Sequence, residues 1–143
     1  EVDKYTWVDI GSSFLPGELI AAFLWAQLEH AGEITDRRLK IWQSYHEAFV
    51  TAETEGIVRR PIIPGQCRHN AHMYYLLLNS PEERSAFIAG MKAKGIMVVF
   101  HYVPLHRAPA GLKFCRTHGE LSRTEDLSGR LVRLPLWPGL EDE

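Results

Sequence analysis

Residues 71–102 read AHMYYLLLNSPEERSAFIAGMKAKGIMVVFHY, and their succession of apolar runs and breakers decides the fold class. Ala71 to Asn79 is aromatic and apolar on both alternating faces, the pattern of a strand buried on each side. Ser80-Pro81-Glu82-Glu83 then starts a helix. Serine caps it, proline takes the first helical position where a missing N–H costs nothing, and a glutamate three residues after the cap closes a capping box. Phe87, Ile88 and Met91 make the helix's buried stripe, Gly95 ends it, and Ile96 to Tyr102 predicts a second buried strand. Strand, helix and strand joined by short turns form a βαβ-like unit, either parallel or part of an α/β sandwich of another order, so the class is α/β.

The second strand runs into His101–Gly111, HYVPLHRAPAG. Pro104 and Pro109 cannot continue a ladder, so the chain must turn into a loop just after Tyr102. Strand exits are where α/β proteins hold ligands, and here two histidines and a tyrosine bring hydrogen-bonding and proton-carrying groups to one. The plain alternative is a turn whose histidines satisfy nearby carbonyls. Tyr102 and His106 lie four apart across Pro104 and are expected to turn toward one pocket.

Upstream, residues 17–31, GELIAAFLWAQLEHA, hold good helix formers and no internal breaker. Leu15, Leu19, Ile20, Phe23, Leu24 and Leu28 form one apolar stripe, while Ala21, Ala22, Trp25 and Ala26 leave little for water on the other face. A helix apolar nearly all round is buried on more than one side, and in this chain the second side is expected to belong to a missing domain or a partner chain. Gly32 is expected to end it, with Thr35 capping a second helix to about residue 54. That helix is amphipathic, with Leu39, Trp42, Tyr45, His46 and Phe49 on one face, and His46 reads as a face residue without a function. The stretch 56–70 reads as an irregular connection with at most a short extended piece. A short helix near Leu121–Leu131 and a strand around Arg133–Leu136 complete the pattern.

Composition excludes several classes. The 143 residues suffice for one domain, and 45% hydrophobic with 24% charged residues is ordinary for a globular protein. A formal net charge of −2 gives no field that would gather nucleic acid or an anionic membrane, and Arg37-Arg38 and Arg59-Arg60 read as solvated surface. No stretch is apolar for long enough to span a membrane, and no charged-then-apolar signal segment is present. Cys67 and Cys115 are too few for a disulfide framework and suit a reducing compartment. Cys67-x-His69-x-x-His72 and Cys115-x-x-His118 lack the paired C-x-x-C knuckle of a zinc site, so no metal is expected, and no oxyanion feature accompanies Cys115. There is no Gly-rich phosphate loop. The nearest feature is the turn Asp9-Ile10-Gly11-Ser12-Ser13, whose N–H groups, hydroxyls and following helix N-terminus suit a phosphate or form an ordinary Ser-rich helix entry. The chain begins Glu1-Val2-Asp3 and ends Glu141-Asp142-Glu143, an acidic triplet like the first turn of a helix, so both ends read as cut and a piece of a longer protein is expected.

Five stretches occur in a particular order: Lys4 to Ser13 (KYTWVDIGSS), Ala21-Ala22 with Gln27-Leu28, Asn70-Ala71-His72-Met73, His101 to His106 (HYVPLH), and Arg133-Leu134-Pro135-Leu136. In this the chain resembles, over nearly its whole length, the C-terminal part of the DegT/DnrJ/StrS family of sugar aminotransferases. The resemblance implies the C-terminal small domain of a fold-type I, aspartate-aminotransferase-like enzyme: α/β, long N-terminal helices, and a small sheet covered by helices. It implies a cytoplasmic homodimer using pyridoxal 5'-phosphate to move an amino group from glutamate to C4 of a dTDP-linked 4-keto-6-deoxy sugar in surface-polysaccharide biosynthesis. Ser12 and Ser13 match the turn that meets the neighbouring subunit's cofactor phosphate. Tyr5, Trp7, His72, Tyr102 and His106 fall in stretches that line the sugar-nucleotide pocket. None of Lys4, Lys40, Lys92, Lys94 or Lys113 occupies the motif of the family's Schiff-base lysine, so no catalytic residue is assigned and the fragment alone is expected to be inactive, without bound cofactor. A stand-alone α/β binding module without catalysis is the alternative.

Overall fold

The computed structural model describes residues 6–140, so Tyr5 and the acidic triplet at 141–143 lie outside the described residues. The N-terminal half carries α1 (Glu18–Glu29), α2 (Ala31–Ala48) and α3 (Val50–Thr54). The break between the first two falls at His30 rather than at Gly32, and Gly32 and Thr35 lie inside α2. The His30 N–H bonds back to Gln27 while its carbonyl accepts from Ile34, so one residue closes α1 and opens α2. A glycine inside a helix costs only about 1 kcal/mol relative to alanine, too little to end one that continues past it.

The α/β half follows as β1 (Tyr74–Leu77), α4 (Pro81–Ala93), β2 (Val99–Phe100), α5 (Pro109–Phe114), α6 (Ser122–Arg130) and β3 (Leu131–Leu134). The strands form one sheet in the order β1-β3-β2. β3 lies between the other two and antiparallel to both, with Tyr74 opposite Leu134 and Val99 opposite Arg133. The β1-α4-β2 unit therefore exists, but its strands never touch. β2 is two residues long, not the Ile96–Tyr102 run expected: β3, its one partner, has four residues and cannot pair with seven, and the ladder that forms joins only Val99 to Arg133 and Phe100 to Val132. On the outer edge of β1, Arg59 and Leu77 exchange backbone hydrogen bonds of 2.9 and 3.0 Å, the one extended contact of the irregular stretch.

Local signals for α4 are met closely. Ser80 Oγ accepts from the Glu83 N–H at 3.1 Å, and the Glu83 carboxylate reaches back one residue further than a standard box, to the Asn79 N–H at 3.1 Å. The core centres on Tyr74, Leu76 and Val132, all without solvent exposure. Trp42, Tyr45 and Phe49 of the α2 region set their rings 5.4, 5.2 and 6.3 Å from that of Tyr74, and Phe87, Ile88 and Met91 of α4 pack against the same cluster. Tyr45 also ties α2 to the end of β3 by donating its hydroxyl to the Pro135 carbonyl at 3.0 Å.

Two expectations about the rest of the chain change. The apolar helix α1 is buried on neither side by the described residues: Leu19 is 88% exposed, Phe23 71% and Trp25 66%. Its main neighbour is α2, and among the described residues no second layer covers it. The stretch after Tyr102 is not an open loop but a packed corner, a 3₁₀ turn at Leu105–Arg107 followed by α5. Ala108 and Ala110 are completely buried there. A Cβ on Gly111 would sit 1.7 Å from the Leu105 carbonyl oxygen, so only glycine allows the corner to close. The Ala110 N–H donates to the Trp7 carbonyl at 3.1 Å and fastens the N-terminal segment to this corner.

Candidate functional site

The turn Asn70-Ala71-His72 enters β1 in a conformation that its own residues do not favour. Ala71 has φ of 49°, the left-handed region where a Cβ is penalised, and it is 2% exposed. Asn70 Oδ1 accepts from the His72 N–H at 3.2 Å across the turn. From α2, Arg38 donates Nε to the Ala71 carbonyl at 3.0 Å and Nη2 to the His72 carbonyl at 2.6 Å. The reading of Arg38 as solvated surface is thus corrected, because its fork reaches two carbonyls of a turn whose strand cannot use them. Arg60 is corrected likewise: it pairs with Glu53 at 2.7 Å and donates to the His46 carbonyl. The backbone N–H and guanidinium of Arg60 hold the Glu53 carboxyl below its ordinary range. The His72 side chain itself faces solvent.

At the exit of β2, His101 stacks edge-on against Tyr102, ring centres 5.1 Å apart. Burial, then the neighbouring Arg133 and His72, lower the His101 pKa, so its ring is held neutral. Tyr102 is half-exposed and lines a cavity of about 220 Å³ with Arg84, Phe100, Pro104 and Ser128. His106 turns elsewhere. Its Nε2 lies 2.9 Å from Glu125 of α6, which also takes Arg107 Nε and Nη2 at 2.7 and 2.9 Å. Hydrogen bonds from Arg107 and then His106 hold the Glu125 carboxyl down to about 2. These three groups border a separate cavity of about 490 Å³ with Thr117, Glu120 and Ser122. Tyr102 and His106 therefore do not share one pocket in this chain, since the 3₁₀ turn after Pro104 rotates His106 toward α6.

Ser12 and Ser13 lie exposed in the extended segment before α1, and neither hydroxyl makes a hydrogen bond among the described residues. Trp7 is half-buried and donates Nε1 to the Asp9 carbonyl at 2.6 Å. Lys40, Lys92, Lys94 and Lys113 are all exposed. Among the described residues no three His, Cys, Asp or Glu side chains gather to share a metal ion, and no helix is long and apolar enough to cross a membrane. Sequence reasoning missed Glu125, Arg38 and Gly111. Each acts on groups brought near by the fold, and only the Gly at the end of the proline-rich HYVPLHRAPAG run was a local signal.

The chain is thus a small α/β domain that presents polar side chains on its surface beside a large uncovered apolar helix. The DegT/DnrJ/EryC1/StrS aminotransferase family matches residues 2–143, and the chain belongs to it. It is 29% identical over 134 residues to the dTDP-4-dehydro-2,3,6-trideoxy-D-glucose 4-aminotransferase of Saccharopolyspora spinosa, a match covering 94% of this chain and 33% of that protein. The crystal structure of a DegT/DnrJ/EryC1/StrS aminotransferase from Brucella abortus superposes with a TM-score of 0.70 at 28% identity, over 84% of this chain and 30% of the other. DesV of S. venezuelae, solved with a ketimine intermediate, shares the fold with a TM-score of 0.75 at 24% identity, over 98% of this chain and 36% of the other. The chain spans about a third of the length of these relatives.

Proposed function

We propose that this chain is the C-terminal small domain of a pyridoxal-phosphate-dependent aminotransferase that moves the amino group of glutamate to C4 of a dTDP-linked 4-keto-6-deoxy sugar. The observation that carries the reading is the family match across residues 2–143. The name of the S. spinosa relative, a 4-aminotransferase of a dTDP-linked deoxysugar, favours C4 and dTDP. Within the family we read the KYTWVDIGSS and NAHM stretches as resembling the dTDP-4-amino-4,6-dideoxygalactose transaminase of surface-polysaccharide biosynthesis, of the lipopolysaccharide or enterobacterial common antigen type.

The residues present suit the cofactor's phosphate: Ser12 and Ser13 offer two exposed hydroxyls, without partners among the described residues, ahead of the α1 N-terminus. They would hold that phosphate in the neighbouring subunit of a homodimer. When bound, pyridoxal phosphate carries the amino group between donor and sugar. Trp7, His72, Tyr102 and His106, with Tyr5, supply hydrogen bonds and ring faces to the sugar nucleotide, with His106 held through Glu125. The lysine comes from the rest of the polypeptide, so this chain alone neither binds the cofactor nor turns over. The bare apolar flank of α1 supports cover by that remaining polypeptide and by a second copy, in an enzyme working in the cytoplasm where nucleotide sugars are made. A stand-alone binding module is favoured only by the closed core around Tyr74, and the exposure of Phe23 and Trp25 argues against it.

The test is to supply the complete polypeptide with pyridoxal phosphate, glutamate and dTDP-4-keto-6-deoxyglucose. Formation of the 4-amino sugar together with 2-oxoglutarate is expected. A polypeptide that binds no pyridoxal phosphate, or that converts glutamate to 2-oxoglutarate but leaves the nucleotide sugar unaminated, overturns the reading.

A further inference from the structure

Arg38 belongs to none of the stretches that suggested a site, yet it is the residue that acts on one of them from a distance. It stands on α2, 33 residues before the turn, and spends its planar fork on two successive carbonyls, those of Ala71 and His72. The first of those carbonyls belongs to Ala71, the only non-glycine residue with positive φ among the described residues. An alanine there leaves the left-handed region readily unless its surroundings hold it. The Asn70 side chain ties only the His72 N–H, at 3.2 Å, and leaves both carbonyls to Arg38. The His72 contact, at 2.6 Å, is the shorter of the two and is charge-assisted. What the turn presents is the His72 ring, on the surface and near enough to His101 to act on its charge.

We infer that Arg38 is a positioning residue, which clamps the Asn70-Ala71-His72 turn in its left-handed form and so fixes where His72 meets the nucleotide sugar. This deepens the proposed function and rests on the reading of His72 as a substrate contact. Arg38 touches no substrate. Its effect passes through the turn, and lysine replaces it only in part, because an ammonium lacks the rigid planar fork that reaches two carbonyls at once.

The experiment uses the complete polypeptide with Arg38→Ala, Arg38→Lys, His72→Ala and the double variant Arg38→Ala/His72→Ala. Two readouts are taken: amide hydrogen exchange over residues 70–77 by mass spectrometry, and kinetics that separate KM for the nucleotide sugar from the half-reaction with glutamate. Arg38→Ala is expected to speed exchange at 70–73 while Tyr74–Leu77 stays protected, which also shows that the variant folds. It should raise the sugar KM about tenfold, the equivalent of one charge-assisted hydrogen bond, and leave the glutamate half-reaction within about twofold. Arg38→Lys should fall between, and the double variant should be no worse than His72→Ala. Unchanged exchange at 70–73 in Arg38→Ala overturns the clamp. A raised KM in His72→Ala with a normal one in Arg38→Ala overturns the positioning role and spares the substrate reading. No KM change in His72→Ala overturns the substrate reading of His72 and with it the inference, whatever the exchange shows.

Discussion

The sheet and the helix α1 have similar apolar content and opposite fates. Tyr74, Leu76 and Val132 are wholly buried, because α2 and α4 reach them from the same chain. Leu15, Leu19 and Phe23 are more than two-thirds exposed, because no described element lies over them. At about 25 cal/mol per Å² of apolar surface, one such flank left in water forgoes several kcal/mol, a large fraction of the roughly 5–15 kcal/mol by which a domain is stable. The contrast separates residues that make this chain fold from residues that, on the proposed function, the rest of the enzyme would cover. The candidate site residues lie between, with His72 and Tyr102 exposed on the folded part and the two serines exposed in the segment ahead of α1.

The comparison can be broken most directly at the core. Leu76→Ala should cost about 4 kcal/mol, the usual size for a fully buried leucine, read as a drop in the denaturation midpoint. A loss below about 1 kcal/mol would mean the sheet does not hold the domain together. Gly111→Ala comes next. Its methyl would collide with the Leu105 carbonyl, a backbone atom that cannot swing aside, and overpacking of this kind costs about 3 kcal/mol.

A smaller effect concerns the clasp between the corner and α6. The Glu125 carboxyl is held down to about 2 in the fold by Arg107 and His106, against about 4.3 for a free glutamate. A depressed carboxyl lends stability that is complete above its unfolded pKa and lost as pH falls through the folded one. Melting temperature should therefore decline between about pH 4.5 and 2, and Glu125→Gln should flatten that limb. An identical acid limb in both proteins would show that the clasp carries no stability. Least of all should Leu24→Ala matter in the chain alone, within about 0.5 kcal/mol, while the same change in the complete polypeptide costs several times more. Equal small effects in both would erase the distinction between the two regions.

Which features were legible in the sequence follows how far their causes reach along the chain. The start of α4 depends on Ser80, Pro81 and Glu83 alone, so its cap is legible in the sequence, although Glu83 accepts from the Asn79 N–H and not from that of Ser80. The α/β class was legible from the 71–102 stretch for the same reason. The length of β2 was not, because a strand extends only as far as its partner, and β3 arrives some thirty residues later. Gly32 misled because glycine weakens a helix without ending it. His106 was singled out, but its partner Glu125 lies 19 residues on and Arg38 acts 33 residues from its turn, so neither pairing leaves a periodic trace. The candidate cofactor and substrate residues came from the family resemblance. The fold then distributed them, with His106 drawn to α6 and Tyr102 left at the exit of β2.

The proposed function makes the apolar flank of α1 an internal surface of a larger enzyme. Amide hydrogen exchange across Glu18–Glu29, measured in the complete polypeptide with pyridoxal phosphate bound, tests it in one experiment. Protection comparable to that of Tyr74–Leu77 is the predicted result, since a covered helix opens only when the structure over it does. Exchange at the rate of an uncovered single helix, with the core still protected, would contradict the claim.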